Sequence, residues 1–225
     1  MEDSEPIPSP SHTPEAVSVE ITGLSHRFGT RAVFTDVSAW VGAGQVLVVT
    51  GPNGSGKSTL LRIVAGLLPP TRGAVTVSIG GKSLDPVARR RYLGYVAPDL
   101  TLYRELSGAE NLQFFARLRG IALSRNDLIA ALTEVGLRGR GGDLVSAYSS
   151  GMRQRLKYAF ALLTRPPLLL LDEPTANLDA DGVAMVEQIL AAQRVRPGGG
   201  VTIIATNEPR EVEWSATRIR LETGG

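Results

Sequence analysis

The chain has no cysteine and only two histidines, His12 and His26. That excludes disulfides, thiolate metal sites and any multi-histidine metal centre. Aromatics are 5% of the 225 residues against 43% hydrophobic residues, so the core must be mostly aliphatic. No apolar stretch approaches the roughly 18–20 residues of a membrane-spanning helix. The formal net charge of +2 is too small to argue for nucleic acid or an anionic membrane, so no nucleic-acid partner is expected. The start, MEDSEPIPSPSHTPEA, is acidic and rich in Pro and Ser. It lacks the basic start and apolar centre of a secretory signal. Residues 1–15 are expected to form a disordered tail, followed by one domain over 16–222. This composition fits the cytosol, and any work at a membrane requires a partner that holds the chain there.

The rest of the chain alternates between two kinds of pattern. Residues 17–21 alternate like a strand, and 45–50 (QVLVVT) are nearly all apolar, like a strand buried on both faces. A glycine-rich turn follows, then a helix from about Lys57 to Gly66, where Pro69-Pro70 sharpens the break. Residues 74–79 read as a strand of a small antiparallel layer. Residues 109–118, 127–135 and 151–163 have helical spacing, with Ser124 and Asp127 as a candidate cap for the second helix. Strand character returns at 168–172 and 201–206, with helical sequence at 183–192 between them. The outline is α/β with a parallel sheet, interrupted by a helical insertion over about 98–160.

Chemistry enters with Gly51-Pro52-Asn53-Gly54-Ser55-Gly56-Lys57-Ser58, which satisfies the eight-residue phosphate-loop pattern between a strand and a helix. Glycines let backbone N–H groups curl around phosphates, and the helix N-terminus adds a positive dipole end. Lys57 is placed to reach the β- and γ-phosphates and the Ser58 hydroxyl to ligate Mg²⁺. A strand ending in carboxylates should complete such a site, and LLLLDE at 168–173 supplies it. Asp172 would hold Mg²⁺ and Glu173 would polarise the attacking water. A nucleotide and Mg²⁺ are therefore the expected ligands.

Here the sequence resembles the ATP-binding cassette (ABC) ATPases over nearly the whole chain after the tail. The most specific match is Tyr148-Ser149-Ser150-Gly151-Met152-Arg153-Gln154-Arg155, which resembles the family signature LSGGQ with Ser150 and Met152 as variants. The resemblance implies a phosphate-loop NTPase fold: a RecA-like core, a small antiparallel β layer and an inserted α-helical subdomain. It implies that the nucleotide is ATP, that Phe28 stacks on adenine and that nucleotide contacts run through Thr59. It also implies that Ala176-Asn177-Leu178-Asp179 is the D-loop. The family works as head-to-tail pairs, so Ser149 and Gly151 of one copy would face the γ-phosphate held by Lys57 of the other. The implied partners are a second cassette, as a homodimer, and polytopic membrane subunits. They would hold this chain on the inner face of the cell membrane. The segment 100–118 resembles the lobe that receives such subunits. Phe114 and Phe115 nevertheless read as core, and Arg89-Arg90-Arg91 as a solvated face. Within the family, the DGVA run at 181–184 and the strand after Trp214 resemble the haem-exporter ATPase of cytochrome c maturation.

Two positions depart from the family pattern. Where the family has a Gln that contacts metal and water, LGYVAPD at 93–99 puts Pro98. Asp99 beside it reads equally as a metal ligand or a turn residue. Where the family has a switch His, TIIATNEP puts Asn207. Asn can donate to a γ-phosphate but cannot carry a proton. The expected catalytic set is Glu173, Lys57 and Asn207, with slow Glu173-dependent hydrolysis. Two further readings stay open: a soluble ABC ATPase of DNA repair or the ribosome, and a regulatory cassette that hydrolyses slowly or not at all.

Overall fold

The computed structural model describes residues 16–215 and 217–222; the expected tail, residues 1–15, lies outside them. The chain enters through β1 (Val17–Phe28), turns at Gly29 and returns as β2 (Arg31–Val41). Gly29 has φ +60°, the left-handed conformation that a tight hairpin turn needs. β3 (Val46–Thr50) leads through the phosphate loop into α1 (Lys57–Val64). Next come β4 (Arg72–Ile79), β5 (Lys82–Leu84), the short α2 (Pro86–Arg89) and β6 (Leu93–Val96). Three helices precede the next strand: α3 (Gly108–Leu118), α4 (Arg125–Glu134) and α5 (Ser150–Leu162). Then β7 (Leu168–Asp172), α6 (Ala180–Val195), β8 (Val201–Ala205), α7 (Pro209–Val212) and β9 (Thr217–Arg220) complete the described chain.

The strands form two sheets. One is antiparallel, in the order β2-β1-β4-β5; the other is parallel, in the order β6-β7-β8-β3-β9. The unbroken apolar runs follow from this placement. In β3, Leu47 and Val49 face the core shared with the antiparallel sheet and α1, while Val46 and Val48 face the core shared with the helices. In β7, Leu168 and Leu170 face the first core and Leu169 and Leu171 the second. A strand buried on both faces cannot show polar alternation.

The helical lobe is defined by its caps. Ser107 and Glu110 form a capping box on α3, and Ser124 and Asp127 form one on α4, as the sequence leads one to expect. Leu112, Leu132, Val135, Val145 and Leu156 pack into the core on that side of the sheet.

Three expectations need correction. β2 was not expected, because its pairing with β1 carries register shifts and Asp36 takes φ +53°, so the period-2 pattern is lost. Arg89 is not on a solvated face. It is 3% exposed and donates to the carbonyls of Val64 at 2.8 Å and Val75 at 2.9 Å. Val64 ends α1, and a helix end offers carbonyls with no partner of their own. Phe114 and Phe115 are half-buried, clustered with the exposed Tyr103 at centroid distances of 4.9 and 6.0 Å; only Phe115 packs against the core.

Candidate active site

Parallel pairing puts the C-terminal ends of β3, β6, β7 and β8 along one side of the sheet. Each runs into a turn that carries expected site residues, which is where open α/β sheets place their ligands. A cavity of about 500 Å³ opens there. Phe28, Arg31, Val33, Asn53, Gly54, Gly56, Lys57, Ser58, Thr59, Pro98, Asp172 and Glu173 line it. The chain thus brings together residues as far apart as Phe28 and Glu173.

The phosphate loop is held by its own backbone. Gly51, Gly54 and Gly56 take φ of +147°, +82° and +97°. A Cβ at Gly51 would lie 2.4 Å from the Leu221 carbonyl, and one at Gly56 2.3 Å from Val33, so neither position admits a side chain. Lys57 is buried, and its ammonium donates to the carbonyls of Gly51 at 2.7 Å and Pro52 at 3.3 Å. Those carbonyls are neutral partners for a full charge, so an arriving anionic phosphate can replace them. The Ser55 hydroxyl is fully buried with no partner among the described residues.

Two carboxylates close the floor. Burial raises the proton affinity of Asp172, and the Ser58 hydroxyl and Arg62 oppose that rise. Burial also raises that of Glu173, opposed by Lys57 and reinforced by Glu211 and Asp172. Glu173 has φ +51°, an uncommon conformation for a side chain of that size. Phe28 forms the rim; it is 55% exposed and stands edge-on to the buried His26 at 4.6 Å.

Both departures have a structural setting. Lys157 of α5 donates to the carbonyls of Ala97 at 3.1 Å and Pro98 at 2.6 Å, fixing the turn after β6. Asp99 pairs with Arg62 at 2.7 Å and is not among the lining residues. Asn207 lies beyond the phosphate loop, where its amide donates to Asn53 Oδ1 at 3.1 Å.

Ser149 and Gly151 do not line the cavity. Ser149 is the exposed N-cap of α5, with its hydroxyl accepting from the Met152 N–H at 3.1 Å. Gly151 abuts the D-loop: a Cβ there would lie 3.0 Å from the Asn177 carbonyl. Arg155 pairs with Asp179 at 2.7 Å, tying the signature helix to the same loop. Residue patterns had missed Arg31, which reaches the cavity only through the unexpected β2, and the Asn53–Asn207 contact, which spans 154 positions.

A family model described as ABC transporter matches residues 34–176. The chain belongs to the ABC transporter family. This cassette is 41% identical over 192 residues to the cytochrome c biogenesis ATP-binding export protein CcmA of Mesorhizobium japonicum, covering 85% of this chain and 92% of that one. It is 34% identical over 204 residues to the ABC transporter ATP-binding protein YybJ of Bacillus subtilis, covering 91% of each. A solved ATP-binding cassette, dimeric in a post-hydrolysis state with ADP and Pi, superposes with a TM-score of 0.78 at 25% identity. That match covers 91% of this chain and 96% of that one. The cassette is a phosphate-loop NTPase that binds and hydrolyses ATP to energise a membrane transporter. No helix among the described residues is long and apolar enough to cross a membrane.

Proposed function

We propose that this cassette hydrolyses ATP at the cavity of β3, β7 and β8, as a head-to-tail homodimer docked on polytopic membrane subunits at the cytoplasmic face. The observation that carries this reading is the division of the site. The cavity holds the phosphate loop, Phe28, Asp172 and Glu173, while Ser149 and Gly151 stand outside it. A second copy, reversed, supplies the missing signature turn.

The roles follow from the geometry. Phe28 stacks on the base, and the loop from Gly51 to Thr59 wraps the phosphates, with Lys57 exchanging its carbonyl partners for the β- and γ-oxygens. The donor set fits Mg²⁺: the Ser58 hydroxyl and the buried Asp172 carboxylate are hard oxygens, and Asp172 has no ion pair among the described residues. When bound, Mg²⁺ neutralises charge on the phosphates. Asp99 could join only by leaving Arg62. Glu173 accepts a hydrogen bond from the attacking water and takes its proton as the water oxygen bonds to the γ-phosphorus and ADP leaves. Asn207 supplies a neutral donor in place of an imidazole, so turnover is slow. The loss of one aligned transition-state donor costs about 10²- to 10³-fold, and a retained neutral donor costs less.

The similarity to CcmA favours an exporter as the complex. Co-purification tests the reading: the full chain, tagged at its C-terminus, is recovered from native membranes in mild detergent. A stoichiometric polytopic protein is expected. A DNA-repair or ribosomal partner instead would overturn it.

A further inference from the structure

Glu211 lies four residues beyond Asn207, on α7, and is 1% exposed. Its Oε1 accepts from the Thr175 N–H at 3.1 Å and also from the Thr175 hydroxyl. Its Oε2 has no hydrogen-bond partner among the described residues. No arginine, lysine or histidine forms an ion pair with it there. A buried carboxylate with one oxygen unpartnered is costly, so the contact it does make carries the burden of its retention.

That contact is to the loop that presents Glu173. Three elements hold this loop. The Glu173 N–H donates to the Ala205 carbonyl at the end of β8, 2.9 Å away. The Tyr158 hydroxyl of α5 donates to the Pro174 carbonyl at 2.9 Å. Glu211 takes both donors of Thr175. Two of these contacts flank Asn207, the Ala205 carbonyl two residues before it and Glu211 four residues after, and of the two only Glu211 acts through a side chain. Because Glu173 sits at φ +51°, its direction depends on these outside contacts rather than on its own backbone preference.

We propose that Glu211 is a positioning residue for hydrolysis, aiming Glu173 through Thr175 and linking its placement to the Asn207 segment. Arrival of a γ-phosphate at Asn207 shifts that segment, and the Glu211–Thr175 contact passes the shift to Glu173. This rests on the reading of Glu173 as the group that takes the water's proton.

Steady-state ATP hydrolysis and fluorescent-nucleotide binding by the purified full chain test it. Glu211→Ala is expected to lower kcat about 10- to 100-fold with KM and nucleotide affinity little changed, the cost of a misplaced reacting group. Glu211→Gln keeps an oxygen acceptor for Thr175 and should recover most of that loss. Thr175→Val, which removes only the hydroxyl donor, should fall between them and replaces Glu211→Ala if that variant does not fold. In a Glu173→Gln background, Glu211→Gln and Thr175→Val should change the residual rate no further. A kcat for Thr175→Val equal to wild type, a parallel loss of nucleotide affinity, or a Glu211→Gln as impaired as Glu211→Ala would each overturn the proposal. Full turnover by Glu173→Gln alone would instead sink the reading of Glu173, a separate result.

Discussion

The two halves of the nucleotide site are built in opposite ways. The phosphate-loop half sits where strand ends converge, and two of its groups are held in advance: the Lys57 ammonium rests on two backbone carbonyls and the Glu173 N–H on the Ala205 carbonyl of β8. The signature half is an exposed, capped helix start on a separate lobe, with Ser149 bonded to its own helix. The first half is complete within the chain. The second is tied internally to the D-loop through Arg155 and Gly151 and lines none of the cavity. On the proposed reading, a site divided this way waits for its chemistry on a second copy, whose D-loop is tied to its signature turn through Arg155 and Asp179.

The largest effect should come from separating the halves. Lys57→Ala and Ser149→Arg chains should each be inactive alone. Mixed, they should recover up to about a quarter of wild-type hydrolysis, because half the pairs then hold one intact composite site. A mixture as inactive as its parents would show that the signature turn does not act across copies.

Next comes the switch position. Asn207→His restores a group that can carry positive charge beside the γ-phosphate, and turnover should rise, up to about tenfold. A fall would show that the amide, held on Asn53, has a working role of its own. At the rim, Phe28→Ala should raise the KM for ATP about 3- to 10-fold with kcat unchanged, as expected for one lost stacking contact. An unchanged KM would make Phe28 a bystander.

The smallest effect is on stability. Burial raises the proton affinity of Glu173, so the folded chain binds protons more tightly there than the unfolded chain does. Stability from this source is full below the ordinary carboxylate range and is lost as pH rises through the folded value. Glu173→Gln should therefore raise the Tm of the nucleotide-free protein near neutral pH, with a gain that shrinks as pH falls toward about 4. Scanning calorimetry across that range reads it; a difference that does not change with pH would mean Glu173 is no costlier folded than unfolded.

Local pattern was enough for much of this molecule. The apolar runs of β3, β7 and β8, the phosphate-loop glycines, the capping residues Ser124 and Asp127 and the pair Asp172-Glu173 all act over a few residues, so short windows reveal them. The strand hidden in residues 31–41 was not legible, because bulges erase its alternation. Nor was the fate of Arg89, whose acceptors lie on α1 and β4.

What the residues determine alone is the set of chemical groups: a loop that can hold phosphates, a carboxylate pair, a signature turn, and an amide where a titratable ring is usual. Which of them meet was decided by the parallel sheet, because strand register sets the distance between residues that the chain separates by 36 to 154 positions. That is why Asn207 turns out to rest on Asn53, Asp99 to face Arg62, and Glu211 to hold the loop of Glu173. Each of those contacts is long-range, and no spacing rule along the chain encodes it.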